Sequence, residues 1–374
     1  MNISQLPPAV SQKAEHSLHP RSARAASRRG FTLLELMVSM SVLAVIMALV
    51  FQMLGSTQKA WAASKARTSV FREAREAFES MTRTISQATL NTYWDYKRSG
   101  ANGIPTSYDK KSDLHFVCAP TTELIGGGGA NLPGHAVFFQ APGGFTLERE
   151  HQGLSELLNP YGFFVKFDDG VDIVPSFLPD SVTRKSRFRL MEFRPPSEDM
   201  AVYKAELNNG SSSSSAVDRW FADEWEGRGQ IPYTRPIAEN VLLLVIEPKQ
   251  SEAAARQTTN KFAPDYVYDS RARETGRGSL NATEEALWEH VVPPILDVTM
   301  VAMDEASAIR YEQINGVGSI AGLGLHGLFD NTSRYEADLE QLDAILNEAK
   351  IDYRVFRETV AMKNSAWEAQ VNIP

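Results

Sequence analysis

The chain has 374 residues, 43% of them hydrophobic and 22% charged, a composition that buries a core and excludes a wholly disordered protein. Its net charge of -8 is unevenly spread: residues 1–30 carry Lys13, Arg21, Arg24, Arg28 and Arg29 against Glu15 alone, leaving that segment at +4 and the remainder at -12. The acidic remainder argues against a broad nucleic-acid-binding surface, and the single cysteine, Cys118, excludes an internal disulfide.

The first 30 residues, with Pro7, Pro8 and Pro20, read as an unstructured leader. From Leu36 to Leu54 no residue carries a charge. As an α-helix those residues reach ~28 Å, about the thickness of bilayer hydrocarbon. Arginines before the span and fewer cations after it place residues 1–30 in the cytoplasm and the bulk of the chain outside. Glu35 is the exception in the apolar run. An ionised carboxylate in hydrocarbon costs at least ~2.5 kcal/mol, so Glu35 needs a partner, a proton, or a place at the helix entrance where the backbone dipole favours negative charge.

No proline occurs between Pro20 and Pro105, and apolar residues continue past the membrane at helical spacing: Val70, Phe71, Ala74, Ala77, Phe78, Met81, Ile85 and Ala88. One helix from Phe31 to about Leu90 is expected, with Gly55 and Ser56 at a junction where it can bend. The expected domains are a leader (1–30), a transmembrane helix (31–55), its continuation against a head (56–90) and the head itself (91–374). Residues 92–111 close the helix and open loops. "DLHFVCAP", "HAVFFQAP", "GFTLERE", "RFRLMEFRPP" and "MAVYKAEL" read as strands, and "YGFFVKFDDGVDIVPSF" as a hairpin around Asp168, Asp169 and Gly170. Residues 208–215 are a serine-rich flexible loop. A strand at Asn240–Ile246, a tyrosine-rich extended segment, and a strand after Pro293 and Pro294 follow, then a short helix around Leu339, Leu342, Ile345 and Leu346, and a closing strand with Tyr353, Val355 and Phe356. This order is that of an α+β protein whose head packs on the stripe of a long helix.

The run Arg28-Arg29-Gly30-Phe31-Thr32-Leu33-Leu34-Glu35-Leu36 resembles the prepilin signature of type IV pilins and of the pseudopilins of type II secretion systems. A secretory signal has its cleavage site after the apolar core; here the match precedes it, so the helix is retained. The resemblance implies a pilin-like fold and cleavage by a prepilin peptidase after Gly30. It also implies methylation of the new amino terminus at Phe31, and an assembly role for Glu35 opposite the amino terminus of a neighbouring subunit. Other pilin or pseudopilin subunits and inner-membrane lipid are the implied partners, with the head periplasmic, no cofactor and no nucleic acid. The C-terminal order of strand, tyrosine-rich segment, tryptophan, proline pair and strand resembles the larger minor pseudopilins of J type, and the C-terminal extension looks like Verru_Chthon cassette protein C. A bulky head fits a minor subunit, at a tip or in an initiation complex. A membrane-anchored module that recognises cargo, a surface or DNA is the alternative.

No catalytic motif is present: HExxH, GxSxG and paired-cysteine patterns are absent. His326, among Gly316, Gly318, Gly322 and Gly324, lacks the Lys-Ser/Thr of a phosphate loop and reads as a plain loop. Asp168, Asp169 and Asp172 around Gly170 lack EF-hand spacing and read as a surface turn. Trp220, Trp225 and Trp288 read as packing residues. The chain is therefore expected to be structural, with no catalytic or metal residue.

Overall fold

A computed structural model describes residues 30–98, 103–168, 185–203, 219–222, 233–251, 255, 262–277 and 288–365. Helix α1 runs from Leu33 to Ile85, followed by strands β1 (Tyr93–Arg98), β2 (Pro105–Lys111) and β3 (Val117–Pro120). After α2 (Thr121–Ile125) come β4 (His135–Pro142), β5 (Leu158–Asp168) and β6 (Arg187–Phe193). Next are α3 (Arg219–Ala222), β7 (Thr234–Glu239), β8 (Val241–Lys249), β9 (Tyr268–Asp269) and α4 (Ala272–Thr275). The chain closes with β10 (Ile295–Met303), α5 (Glu305–Asn315), α6 (Tyr335–Glu348) and β11 (Tyr353–Ala361). The architecture is α+β: a long apolar N-terminal helix followed by antiparallel sheets, consistent with a pilin-like fold.

Two compact units divide the chain, residues 1–60 and 61–374. In the first, α1 passes Gly55 and Ser56 without interruption; Ser56 Oγ and Thr57 Oγ1 both donate to the Met53 carbonyl, satisfying polar groups within the helix itself.

The second unit is built on a six-stranded sheet, β7-β6-β5-β4-β3-β9, and a three-stranded sheet, β11-β10-β8, all pairs antiparallel. Period-2 alternation gives the larger sheet two buried faces. Val137, Phe139, Phe163 and Val165 face the core shared with β8, β10 and the helical stripe. Ala136, Phe138, Phe164 and Phe193 face a second core closed by Trp220 and Phe221 of α3, where Phe138 and Phe221 stack at 4.2 Å. Phe71, Ala74, Ala77, Phe78, Met81, Ile85 and Ala88 of the expected stripe are buried in the first core, and Val70 is half-buried. Gly134 lies where the sheets approach: its φ is +74°, and a Cβ there would stand 2.3 Å from the Leu244 carbonyl oxygen.

Beside that glycine, His135 joins the sheets. Its Nδ1 accepts the Ile246 amide at 3.0 Å, so Nε2 carries the proton and donates to the Phe329 carbonyl at 3.1 Å. Burial pushes His135 down to about 4, against a smaller upward pull from Phe329. An unfolded histidine titrates near 6.5, so the stability held by the neutral ring is complete above that pH and is lost as pH falls towards 4, at about 1.4 kcal/mol per unit. Urea midpoints between pH 7.5 and 4.5 are expected to fall steeply for the native chain and more shallowly for His135→Gln; parallel curves would refute the assignment.

Several local expectations differ. Helix α1 ends at Ile85 rather than near Leu90, because the Thr89 amide is taken by the Gln140 carbonyl of β4. The expected loops at 92–111 contain the β1–β2 hairpin, whose neck Asn91 closes by accepting the amides of Asp113 and Leu114. "GFTLERE" is irregular instead of a strand: Gly144 turns out of β4 with φ +60°, and Glu198 takes the amides of Leu147 and Glu148. Ala201–Tyr203 is a 3-10 turn rather than strand; residues 204–207 lie outside the described residues. Asn240, expected within a strand, has φ +60° and marks the corner between β7 and β8. Beyond β10, α5 was not expected; Asp304 caps it by accepting the Ser307 amide at 3.1 Å. The expected short helix and closing strand are α6 and β11.

Candidate functional site

The sequence-derived site lies at the start of α1. Gly30 is open, with nothing within 4 Å of a Cβ built on it, and Phe31 is 77% exposed. Thr32 precedes the first helical residue, and its Oγ1 accepts the Glu35 amide at 3.2 Å. Thr-x-x-Glu is the spacing of a capping box, so the side chain of Thr32 fixes the helix entrance while the carboxylate of Glu35 lies in the first turn. That cap is legible in the sequence as Thr32 three residues before Glu35. Among the described residues one helix is long and apolar enough to cross a membrane, Leu33–Ala62, with mean hydropathy 2.5 and none of its apolar window buried.

In the second unit the most concentrated polar chemistry is a closed network around Asp269. His115 Nε2 and Asp269 Oδ1 are 2.7 Å apart, both side chains fully buried. Trp220 Nε1 donates to His115 Nδ1 at 3.1 Å; an indole can only donate, so Nδ1 bears a lone pair and Nε2 the proton given to Asp269. Asp269 also accepts from the Arg271 amide (2.7 Å), Thr275 Oγ1 (2.8 Å) and Arg277 Nη1 (3.3 Å). Burial opposes the charge, but His115, Arg277 and the Arg271 amide outweigh it and hold the Asp269 carboxyl well below the usual range. A histidine and an aspartate in contact are a fragment of catalytic chemistry, yet the third partner here is an indole in place of a nucleophile, and no solvent reaches either group. The network fastens β3, β9, α3 and α4 together.

The other residues singled out from sequence are dispersed. Asp168 ends β5 and pairs with Arg189, while Asp169 and Asp172 lie outside the described residues, as do Trp225 and residues 208–215. Trp220 and Trp288 are buried. His326 is exposed in a succession of 3-10 turns between Ser319 and Gly327, with no strand-to-helix turn. Cys118 is buried, and burial pushes its thiol far up. Among the described residues no group of three or more His, Cys, Asp or Glu could hold a metal ion.

A family model described as the prokaryotic N-terminal methylation motif matches residues 26–51. No curated protein and no solved structure matches the chain. That motif is the N-terminal signature of prepilin-like proteins, and the one long apolar helix among the described residues, which carries it, fits a single-pass membrane anchor.

Proposed function

We propose that the chain is a structural, prepilin-like subunit. In this reading a prepilin peptidase cuts after Gly30 and methylates Phe31, the residues from 31 to about 55 cross the inner membrane, and the head of residues 91–374 stands in the periplasm. The observation that carries it is the methylation motif at residues 26–51, lying over the beginning of a helix whose apolar side chains have no cover. Such a surface belongs in lipid or against other helices. Glu35 is then the assembly residue, its carboxylate facing the amino terminus that cleavage exposes on a neighbouring subunit. The loop-rich head favours a minor position in a type II secretion pseudopilus or a related filament. Its succession of β8, the tyrosine-bearing β9, the pair Pro293-Pro294 and β10 supports the J-type comparison, and α6 with β11 supports that with Verru_Chthon cassette protein C.

Intact mass and N-terminal sequencing test this, on protein extracted from membranes after co-expression with a prepilin peptidase. The expected product begins at N-methylated Phe31 and is missing from Gly30→Ala. An uncut chain, or one cut beyond the apolar span, would overturn the reading.

A further inference from the structure

Helix α1 keeps its geometry where its apolar run ends, but the residues on its surface change. The membrane-length segment Leu33–Ala62 has 30 residues. As a helix they rise ~45 Å, the thickness of a bilayer with its headgroup layers, whereas the hydrocarbon alone takes ~30 Å. In a membrane the ends of the segment therefore lie among headgroups, and Trp61 stands at the far end. Its side chain is 68% exposed. An indole is apolar over its face and donates one hydrogen bond from its edge, which is why tryptophan collects at membrane–water boundaries. Helical side chains lean towards the N-terminus, and one turn further on Lys65 leans back over Trp61, with Nζ 5.4 Å from the ring centroid. The two residues form one surface, an apolar plate with an ammonium above it.

The charges around this pair have one sign. Between Leu36 and Arg72 the sequence carries Lys59, Lys65, Arg67 and Arg72 and no acid, although residues 31–374 sum to -12. Arg72 is engaged by Glu76 at 3.1 Å. Lys59 and Lys65 are exposed, and among the described residues no carboxylate pairs with either. We infer that Trp61 and Lys65 are a headgroup site for an anionic phospholipid, in the leaflet opposite residues 1–30. The indole lies at the level where acyl chains meet headgroups, and the Lys65 ammonium takes the lipid phosphate, with Lys59 and Arg67 adding to the local positive charge. Two observations favour this occupant over a neighbouring protein helix. The surface continues an apolar span that belongs in lipid, and a helix packed on it would cover ammonium groups that have no counter-charge. Such a pair sets how far the helix stands in the bilayer, which the uncharged run from Leu36 to Gln58 does not do by itself. The site deepens the proposed function and rests on its membrane span, not on cleavage at Gly30.

Photolabelling of the full-length chain in phosphatidylcholine nanodiscs tests it. The photoreactive group is placed near the headgroup of either phosphatidylglycerol or phosphatidylcholine, and the two probes are compared at equal amounts. Adducts mapped by peptide mass spectrometry are expected between residues 59 and 65, at least about fivefold more from the phosphatidylglycerol probe, the preference expected for one cation at an anionic surface. Lys65→Glu should bring the two probes level, Lys65→Arg should keep the preference, and Trp61→Ala should lower labelling by both. Inorganic phosphate, set against sodium chloride of equal ionic strength, should leave the preference intact; its loss to phosphate would reveal a free-anion site and overturn the lipid assignment. Equal labelling by the two probes, adducts missing from residues 59–65, or indifference to Lys65→Glu or to Trp61→Ala would each overturn the site. The N-terminus is read on the same protein, co-expressed with a prepilin peptidase. A chain cut after Gly30 that labels equally with both probes overturns the site and leaves the prepilin reading standing; an uncut chain that keeps the preference supports the site and removes that reading.

Discussion

Asp269→Ala is expected to lower the stability of the second unit by about 4 kcal/mol, the range found when one member of a buried ion pair is removed. The substitution leaves His115 Nε2 and the Arg271 amide without their acceptor, leaves Thr275 Oγ1 only the Arg271 carbonyl at 3.3 Å, and removes one of the carboxylates beside Arg277, which keeps Glu123 at 3.1 Å. Releasing His115 also loosens Trp220, and with it the α3 lid over Phe138 and Phe221. A fall of about 6 °C in the thermal midpoint corresponds to that loss in a unit of this size. Asp269→Asn separates charge from shape: its amide still accepts from His115 but turns its NH2 towards Thr275 or Arg277, so about half the loss is expected. The carboxylate's contribution is present above its unfolded pKa near 3.9 and is lost only as pH falls below it, a window distinct from that of His135. A loss below about 1 kcal/mol for the alanine variant would show that the network is a consequence of packing and contributes little to it.

Glu35→Ala carries the second large effect. Cleavage and methylation are expected to proceed normally, because the contact that fixes the helix entrance uses the backbone amide of residue 35 and the side chain of Thr32. Assembly is expected to drop at least tenfold, measured as the share of mature chain in high-mass envelope complexes. The proposed partner is an amino terminus, and a charge-assisted bond is worth about 1.5–3 kcal/mol, or roughly 10- to 100-fold in an equilibrium. Glu35→Gln keeps size and a neutral acceptor and should recover part of the loss. Normal incorporation of the alanine variant would leave Glu35 as a residue of the helix entrance alone.

What the sequence revealed depended on how local the governing physics was. The long helix was legible because uncharged residues and the Phe71-to-Ala88 stripe repeat a period that only a helix can bury. α6 and β11 followed from their own spacing in the same way. The β1–β2 hairpin was missed because Asp95, Lys97, Arg98, Asp109, Lys110 and Lys111 read as loop composition, although the alternation of Tyr93, Asp95 and Lys97 with Trp94, Tyr96 and Arg98 is a strand pattern whose two sides differ in chemistry. α5 has no clear apolar stripe in EASAIRYEQIN to mark it, and its one local sign is the cap that Asp304 makes to the Ser307 amide. The Asp269 network could not have been found locally: His115, Trp220 and Asp269 lie on segments far apart in the chain, and only the sheet order brings them together. At the N-terminus, Gly30, Phe31 and Glu35 needed no such assembly, since six consecutive residues hold them all.

None of the apolar window within Leu33–Ala62 is buried, which bears on how a subunit of the proposed filament would come and go. A helix sheathed in acyl chains that moves into a bundle of similar helices exchanges one oily solvent for another, and the hydrophobic free energy of that exchange is close to zero. The bilayer would then serve as a reservoir in near balance with the polymer. The direction of traffic would be set by a few directional contacts and by whatever does mechanical work on the subunit, and a fibre built this way could dissolve back into the membrane as readily as it grew.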